Sequence, residues 1–185
     1  MKELIISGAV VSLVILAAIS IIFHTMYNRI SPIPTSSRIR KLMLEGCKGM
    51  QIRGSIIELG SGWGSLAFPL ASACPQTRVI GYENSPVPYL FSRLRLVIQR
   101  RPNLRIRYKN FYNVSLKEAG LIVCYLYPKG MEKLRKKFDK ELEPGACVIS
   151  NTFAVPGWEP EKTVEADDLY KSKVYFYAFQ RRGGS

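Results

Sequence analysis

The feature that most constrains the fold of this chain is a short apolar run that ends in three alternating glycines. The run Ile56–Leu59 contains one acidic residue, Glu58, and Gly60, Gly62 and Gly64 follow it. Glycine permits the positive φ of a sharp turn and lets the backbone approach a ligand closely. The spacing predicts a buried strand, a ligand-binding turn and a helix whose N-terminal amides face the same ligand.

The spacing differs from those of two common nucleotide-binding loops. The dinucleotide fingerprint is G-x-G-x-x-G and the P-loop is G-x-x-x-x-G-K-[ST], whereas this segment reads E-x-G-x-G-x-G. The carboxylate of Glu58 would repel a pyrophosphate, but it suits a cation such as S-adenosylmethionine. The segment resembles motif I of the class I, seven-strand methyltransferases, which implies cofactor binding by Glu58, Gly60, Ser61, Gly62 and Gly64. The alternative is a glycine-rich turn without a ligand.

A second acidic residue follows the next predicted strand. Glu83 comes 25 positions after Glu58, directly after the strand-forming residues 78–82. In Rossmann-type folds, an acid about 20 positions beyond the glycines accepts hydrogen bonds from ribose hydroxyls. We therefore predict that Glu83 and its neighbour Asn84 contact the cofactor ribose. The alternative is an acid that is merely solvated at a strand end.

From residue 55 onward, predicted strands alternate with predicted helices, which indicates a parallel sheet with helices on both faces. A closing antiparallel hairpin is predicted over residues 163–166 and 173–181. Together with the resemblance to motif I, this predicts an α/β fold, a Rossmann-like class I methyltransferase sheet of seven strands, preceded by one transmembrane helix. The predicted strands are 55–59, 78–82, 104–109, 121–125 and 146–152, and the predicted helices are 36–47, a helix ending at 73, 86–100 and 130–142.

The N-terminal segment has the length of a membrane span. Residues 4–23 contain no charged side chain, and about 20 apolar residues cross a bilayer core. A cleaved signal peptide would have a shorter apolar region and a small-residue cleavage site, whereas a buried core helix would show a polar face. We predict an anchor over residues 1–28, a proline-containing link and helix over 29–54, and a methyltransferase domain over 55–182.

The charges that flank this segment predict its orientation. Lys2 and Glu3 precede it, and Arg29, Arg38 and Arg40 follow it. Positively charged flanks stay on the cytoplasmic side. We expect a single-pass membrane protein whose catalytic domain lies in the cytoplasm, or in the matrix if the membrane is the mitochondrial inner membrane of a eukaryote.

The chain carries 27 basic and 14 acidic residues, for a net charge of +13. Nucleic acid and an anionic membrane surface are the partners that such an excess favours. The predicted anchor already brings the domain to a membrane, so we expect an anionic lipid bilayer as partner and not nucleic acid. A solvated basic face is the third interpretation. The densest basic stretch comprises Arg93, Arg95, Arg100, Arg101, Arg105, Arg107 and Lys109.

The cysteines predict neither a metal site nor a disulfide framework. The four cysteines are Cys47, Cys74, Cys124 and Cys147, with no C-x-x-C spacing, and His24 is the single histidine. Zinc sites and disulfide frameworks show paired spacings. We interpret these residues as buried thiols in a reducing compartment and expect no metal.

Two further strand ends carry candidate site residues, because ligands of open α/β sheets bind at the carboxyl ends of strands. Asn110 and Phe111 follow the third strand, where class I methyltransferases often carry an aspartate and an aromatic residue against adenine. Asn110 is able to accept from the adenine amino group through its side-chain oxygen.

Tyr125 and Tyr127 follow the fourth strand, where the methyl acceptor usually approaches. Aromatic walls suit a lysine acceptor, because they shield its stem and desolvation lowers the pKa of its amine. We predict that these two tyrosines form the catalytic acceptor site. The alternative is that they are core aromatics with solvated hydroxyls.

The whole pattern resembles the membrane-anchored protein-lysine methyltransferases that modify ATP synthase and the adenine nucleotide translocase in mitochondria, and more distantly the non-SET histone lysine methyltransferases. The segments that carry the likeness are 32–35, 58–64, 81–86, 123–153 and 156–158, and a tail rich in Val and Tyr follows them. The resemblance implies methylation of a lysine in a membrane-associated protein, and a pocket role for Pro34 and Thr35. The short chain suggests a prokaryotic relative. A lipid or quinone acceptor, and a non-catalytic basic binding module, stay open as alternatives.

Overall fold

The computed structural model describes residues 2–28 and 35–180. The first element, α1 (Lys2–Asn28), is a helix whose segment Ile6–Met26 has the length and hydropathy of a membrane span. No residue in its most apolar stretch is buried by the rest of the described chain. Helix α2 (Ser37–Lys48) follows, and the Ser36 hydroxyl caps it by accepting from the Ile39 N–H.

The centre of the fold is a parallel sheet built from five short strands. Its strands are β1 (Ser55–Leu59), β2 (Val79–Glu83), β3 (Leu104–Tyr108), β4 (Ala119–Cys124) and β5 (Cys147–Asn151). β1 pairs with both β2 and β4 in parallel register, so the strand order reverses between β1 and β4. β1, β2 and β4 are buried along their whole length, as expected for strands that are covered on both faces.

Two strands close the sheet at its far edge. β7 (Lys173–Ala178) pairs antiparallel with β5 and with β6 (Lys162–Glu165). The described residues thus contain one seven-stranded sheet in the order β3-β2-β1-β4-β5-β7-β6. The predicted closing hairpin and the predicted α/β fold class are both confirmed.

Helices cover both faces of the sheet. On one face, α2, α3 (Ala67–Ala73) and α4 (Pro86–Gln99) pack around a core that includes Ile56 and Leu121. On the other face, α5 (Pro128–Glu141) packs through Met131, Leu134 and Phe138 against a core built on the alternate strand residues. A short 3-10 helix, Phe111–Asn113, follows β3 and was not predicted.

The helix after the glycine turn begins beyond the last glycine and ends at Ala73, where the sequence predicts its end. α3 starts at Ala67, three residues beyond Gly64, and it has only seven residues. That its N-terminal amides face the ligand stays a prediction, and at its first residue, Ala67, a backbone hydrogen bond reaches the Glu58 carboxyl. Turn residues occupy the interval, because glycines with positive φ at Gly60, Gly62 and Gly64 cannot continue a right-handed helix.

Candidate active site

A cavity of about 560 Å³ opens at the carboxyl ends of β1, β2 and β4, at the point where the strand order reverses. This is where open α/β sheets bind ligands. Of the thirteen predicted site residues, twelve lie in the described part of the chain, and all of these except Gly64 line this cavity. The residues that line it are Thr35, Glu58, Gly60, Ser61, Gly62, Glu83, Asn84, Asn110, Phe111, Tyr125 and Tyr127.

Pro34 and Gly64 are the two predicted site residues that are not in this list, for different reasons. Pro34 lies outside the described residues. Gly64 is not among the residues that line the cavity, and a Cβ there would lie 2.8 Å from the Phe68 ring. Close packing against Phe68, together with a φ of +75°, accounts for glycine at this position.

Backbone hydrogen bonds fix the glycine turn against β2. The N–H groups of Gly60 and Ser61 both donate to the Tyr82 carbonyl at 2.9 Å, and the Gly62 N–H donates to Glu83 Oε2 at 2.7 Å. Gly62 has a φ of +52°, and a Cβ there would meet no atom within 4 Å. Backbone therefore borders the cavity at the place where any other residue would project a side chain.

Glu83 is held by three backbone donors. Its Oε1 accepts from Asn84 at 2.9 Å and from Ser85 at 2.7 Å, in addition to the Gly62 bond to Oε2. A carboxylate offers about four lone-pair positions, so one position stays available to a ligand hydroxyl. Glu83 thus connects the end of β2 to the glycine turn, a structural role that the sequence did not reveal.

Glu58 is buried, with 6% of its surface exposed, and its Oε2 has no hydrogen-bond partner. Burial, and secondarily the charge of Glu83, raises the pKa of Glu58 well above its usual value, although a backbone hydrogen bond with Ala67 opposes this. A buried carboxyl without a full set of partners is costly unless a cation or donor satisfies it. The Ser61 hydroxyl is likewise buried without a partner. These two orphaned groups fit a polar, cationic cofactor.

Asn110 caps the 3-10 helix. Its side-chain oxygen accepts from the Tyr112 N–H at 3.0 Å, which leaves that oxygen one lone pair, while the side-chain NH₂ remains a donor. The Phe111 ring is buried, and its nearest atom lies 4.0 Å from the position of a Cβ on Gly60. An aromatic ring and an amide therefore border the same end of the cavity.

Three tyrosines line the side of the cavity near β4. Tyr125 is 41% exposed, and its ring stacks on Phe153 with centroids 6.1 Å apart. Tyr127 directly precedes α5. Tyr112, which was not predicted, donates from its hydroxyl to the Gly130 carbonyl at 3.4 Å. Burial, followed by the neighbouring Tyr127, raises the pKa of Tyr112 to about 12, so its hydroxyl stays protonated.

A polar face of α5 also lines the cavity and was missed from the sequence. Lys129, Glu132, Lys133 and Lys136 recur at the i, i+3, i+4, i+7 spacing of one helix face. Lys133 Nζ lies 3.9 Å from the centroid of the Tyr112 ring. The helical spacing of these four charged residues, directly after Tyr125–Pro128, would have predicted this face from the sequence. The cavity thus combines two buried carboxyls and the exposed carboxylate of Glu132 with three lysine ammonium groups.

The four cysteines are free thiols, but only Cys47 and Cys124 are buried as predicted, whereas Cys74 and Cys147 are partly exposed. Burial raises the pKa of Cys47 and of Cys124 to about 12. Across residues 2–28 and 35–180, no group of three His, Cys, Asp or Glu side chains is placed to hold a metal ion.

Residues 58–162 match the ANTKMT methyltransferase domain. The chain belongs to this family. The match begins at Glu58 and includes the glycine turn, both acidic strand ends and the tyrosines of the cavity. The predicted family resemblance is thereby confirmed.

Curated relatives include lysine methyltransferases from archaea and vertebrates. A protein-lysine N-methyltransferase of Saccharolobus islandicus is 26% identical over 78% of this chain and 91% of its own length. A human lysine N-methyltransferase named for its ATP synthase substrate is 30% identical over 59% of this chain and 46% of its own length. The mouse adenine nucleotide translocase lysine N-methyltransferase is 31% identical over 60% of this chain and 48% of its own length. The chain spans about half the length of these vertebrate relatives.

Solved structures share the fold. An RNA methyltransferase from Salinibacter ruber, in complex with S-adenosyl-L-homocysteine, has a TM-score of 0.68 at 26% identity, over 79% of this chain and 93% of that one. The magnesium protoporphyrin IX methyltransferase of Synechocystis, with S-adenosylmethionine bound, has a TM-score of 0.60 at 13% identity, over 75% and 76%. The family is one of methyltransferases, and this chain is an S-adenosylmethionine-dependent methyltransferase.

Proposed function

We propose that this enzyme methylates the ε-amine of a lysine in a membrane-associated protein. The observation that carries the proposal is the wall of Tyr112, Tyr125 and Tyr127, which lines the same cavity as the glycine turn. Such a wall suits the apolar stem and the charged end of a lysine. The lysine acceptors named for the archaeal and vertebrate relatives agree with this choice.

For the cofactor we propose contacts with the predicted residues that line the cavity at the glycine turn and at the ends of β2 and β3. Gly60, Ser61 and Gly62 would lie against it with their backbone, and the free lone pair of Glu83 would accept from a ribose hydroxyl. Glu58 would balance its positive charge. When bound, S-adenosylmethionine supplies an electrophilic methyl group on a sulfonium. Asn110 and Phe111 would contact the adenine.

For the acceptor we propose that the tyrosine wall orients the lysine amine and excludes water from its stem. The ammonium groups of Lys129, Lys133 and Lys136 would lower the pKa of an incoming lysine, because a like charge disfavours the protonated form. A neutral, aligned amine then needs no dedicated general base, since alignment supplies a large part of the acceleration.

For location we propose that α1 is a retained membrane anchor, with the folded domain on the cytoplasmic or matrix side. The length and hydropathy of Ile6–Met26 support the anchor, and the positive flank after it supports the orientation. The domain limits would then be 1–28, 29–54 and 55–182. An anionic bilayer and a protein embedded in it are the partners that follow.

The test is to incubate the purified full-length chain with methyl-labelled S-adenosylmethionine and membranes from its own organism, and then to separate protein from lipid. We expect label in the protein fraction. Tyr125→Ala should reduce that label much more than it reduces cofactor affinity, since a misplacement of about 1 Å can cost roughly 100-fold in rate. Label in the organic phase with unlabelled protein would instead indicate a lipid or quinone acceptor and refute the lysine proposal.

A further inference from the structure

The outward face of α4 is apolar from Leu90 to Ile98. Leu90, Leu94, Val97 and Ile98 are 61–73% exposed, and Phe91 beside them is half exposed. At 100° per residue these five side chains fall within an arc of about 120°. The opposite face of α4 packs on the sheet. A contiguous exposed apolar stripe of this kind marks an interaction surface.

Arginines border this stripe. Arg93 and Arg95 belong to α4, and Arg100 and Arg101 follow directly after it. Within the described part of the chain, none of these four forms an ion pair with an acidic side chain. The surface therefore presents guanidinium groups around an apolar centre, with no acidic group of its own to neutralise them.

Next to the stripe lies a hollow of about 550 Å³ that is lined by two guanidinium groups and two aromatic rings. Arg40 from α2 and Arg95 line it together with Trp63 and Phe91, whose rings meet edge to face at 5.2 Å. The Arg95 guanidinium lies 4.1 Å from the centroid of the Phe68 ring, which holds it in place. Burial and the nearby Arg40 and Arg101 lower the pKa of Arg95. Paired guanidiniums of this kind suit a phosphate group.

We propose that α4 lies in the headgroup region of an anionic bilayer, with its apolar stripe against the acyl chains and its arginines on lipid phosphates. Charge complementarity supports this occupant. Contact between α1 and α4 supports it as well, because the apolar helix and the stripe then meet the same bilayer. A second copy of the chain would bring two arginine-bordered faces together, and a nucleic acid would leave the apolar stripe in water. The inference rests on the proposed membrane anchor.

This arrangement deepens the proposed function, because it places the cavity near the headgroups. Asn84 and Ser85 line the cavity and directly precede α4, and Thr25 of α1 lines it as well. Acceptor lysines at the membrane surface would then be within reach, whereas lysines far from the bilayer would not.

The test uses the full-length chain reconstituted in vesicles that contain phosphatidylglycerol and phosphatidylcholine. The phosphatidylcholine carries bromine near the ester end of its acyl chains. Leu94→Trp reports the depth of the stripe, and Lys117→Trp, at an exposed position between the 3-10 helix and β4, is the matched control. The signals of Trp63 and Trp158 are subtracted by using the unmodified protein. Retained binding of S-adenosylmethionine verifies that each variant is folded.

We expect brominated lipid to quench the added fluorescence of Leu94→Trp and not that of Lys117→Trp, with weaker quenching when all the lipid is phosphatidylcholine. Three results would overturn the proposal: no quenching of Leu94→Trp, equal quenching of both variants, or equal quenching with and without phosphatidylglycerol. A dimer in detergent that Leu94→Glu dissociates would identify a second copy as the occupant and overturn it as well. Resistance to carbonate extraction and methyl transfer are measured separately, so failure of the anchor or of the acceptor proposal is distinguished from failure of this one.

Discussion

At the scale of single residues, two neighbouring carboxyls differ in how well they are satisfied. Glu83 accepts three backbone hydrogen bonds, whereas Glu58 has a buried oxygen with no partner. The first group stabilises the turn before any ligand arrives. The second is left for the ligand, because only a cation or a donor from outside completes its surroundings.

The raised pKa of Glu58 gives a pH prediction with a definite sign. A carboxyl whose pKa is higher in the folded state contributes stability below its unfolded pKa and loses it as pH rises through the folded value. Glu58→Gln should therefore flatten this loss of stability in the free protein. In the complex, a cationic cofactor should lower the pKa of Glu58 again. Cofactor binding should therefore release protons from Glu58, and Glu58→Gln should not show this release.

Calorimetry in two buffers of different ionisation enthalpy measures that proton. We expect Glu58→Gln to bind S-adenosylmethionine about 10- to 100-fold more weakly, which corresponds to roughly 1.5–3 kcal/mol for a lost charged contact. Equal affinity and equal proton release in the variant and the unmodified protein would remove Glu58 from the proposed cofactor site.

Gly62 provides a second test at this scale, with a matched control within the chain. Gly62 and Gly145 both have positive φ, and a Cβ at either one meets no atom within 4 Å, but only Gly62 lines the cavity. An arginine at either position should cost about 1–2 kcal/mol of backbone strain. Gly62→Arg should also weaken cofactor binding by at least about 100-fold, or roughly 3 kcal/mol.

Thermal denaturation and equilibrium dialysis with S-adenosylmethionine separate these two effects. We expect Gly62→Arg and Gly145→Arg to lose similar amounts of stability, and only Gly62→Arg to lose cofactor binding. If both variants bind the cofactor like the unmodified protein, the glycine turn is not the cofactor site.

At the scale of elements, the sequence predicted the strands and long helices to within a few residues. Apolar runs such as Ile56–Leu59 are bounded by turn residues, and periodicity and punctuation are local properties. The start of α3 was not predicted, since it depends on the positive φ of three alternating glycines. The 3-10 helix was missed because the Asn110 cap is a local hydrogen bond with no apolar period.

The site shows the same division between local and nonlocal information. Eleven of thirteen predicted residues line one cavity, because strand ends can be located from the sequence and meet at one edge of the sheet. Tyr112 and Asn151 were missed, although both line the cavity. Their contribution depends on how the 3-10 helix and β5 pack against β4, which no local pattern encodes.

The lysine face of α5 gives the prediction at this scale. Replacing Lys129, Lys133 and Lys136 together with glutamine should move the pH profile of methyl transfer to higher pH, since the reference pKa of a lysine acceptor is about 10.4 and the cationic face would lower it. If the pKa of the acceptor amine rises by half a unit, the rate at pH 7 should fall about threefold, because less of the amine is neutral. The difference should shrink at higher pH, where the amine is deprotonated in both enzymes. The unmodified enzyme should become faster from pH 7 toward pH 9.

Lys140→Gln is the matched control, because Lys140 is exposed on α5 but does not line the cavity. Initial rates at saturating cofactor across this pH range provide the comparison. An unchanged profile in the triple variant, or the same shift in Lys140→Gln, would show that the lysine face does not tune the acceptor.

At the scale of the whole molecule, α1, α4 and the cavity lie together. α1 packs on α4, and its Thr25 lines the cavity. With a net charge of +13, the chain would be attracted to an anionic membrane surface, as proposed for this region. Membrane attachment and access to substrate are thus expected to be linked in one part of the fold.

The anchor itself can be tested in intact cells and isolated membranes. The chain should remain in the membrane after carbonate extraction, and its folded domain should resist protease added from outside the cell. A mature chain that begins after residue 20, extraction by carbonate, or cleavage of the domain from the outer face would contradict the proposed topology.

The most direct test of the central claim is to identify the amino acid that receives the methyl group. Membranes labelled by the full-length enzyme with methyl-labelled S-adenosylmethionine are delipidated and their protein is hydrolysed in acid. We predict that the label co-elutes with mono-, di- or trimethyllysine and that Gly62→Arg abolishes it while Gly145→Arg does not. Label in methylarginine, label that mild base releases from the protein before hydrolysis, or label only in the lipid extract would contradict the account.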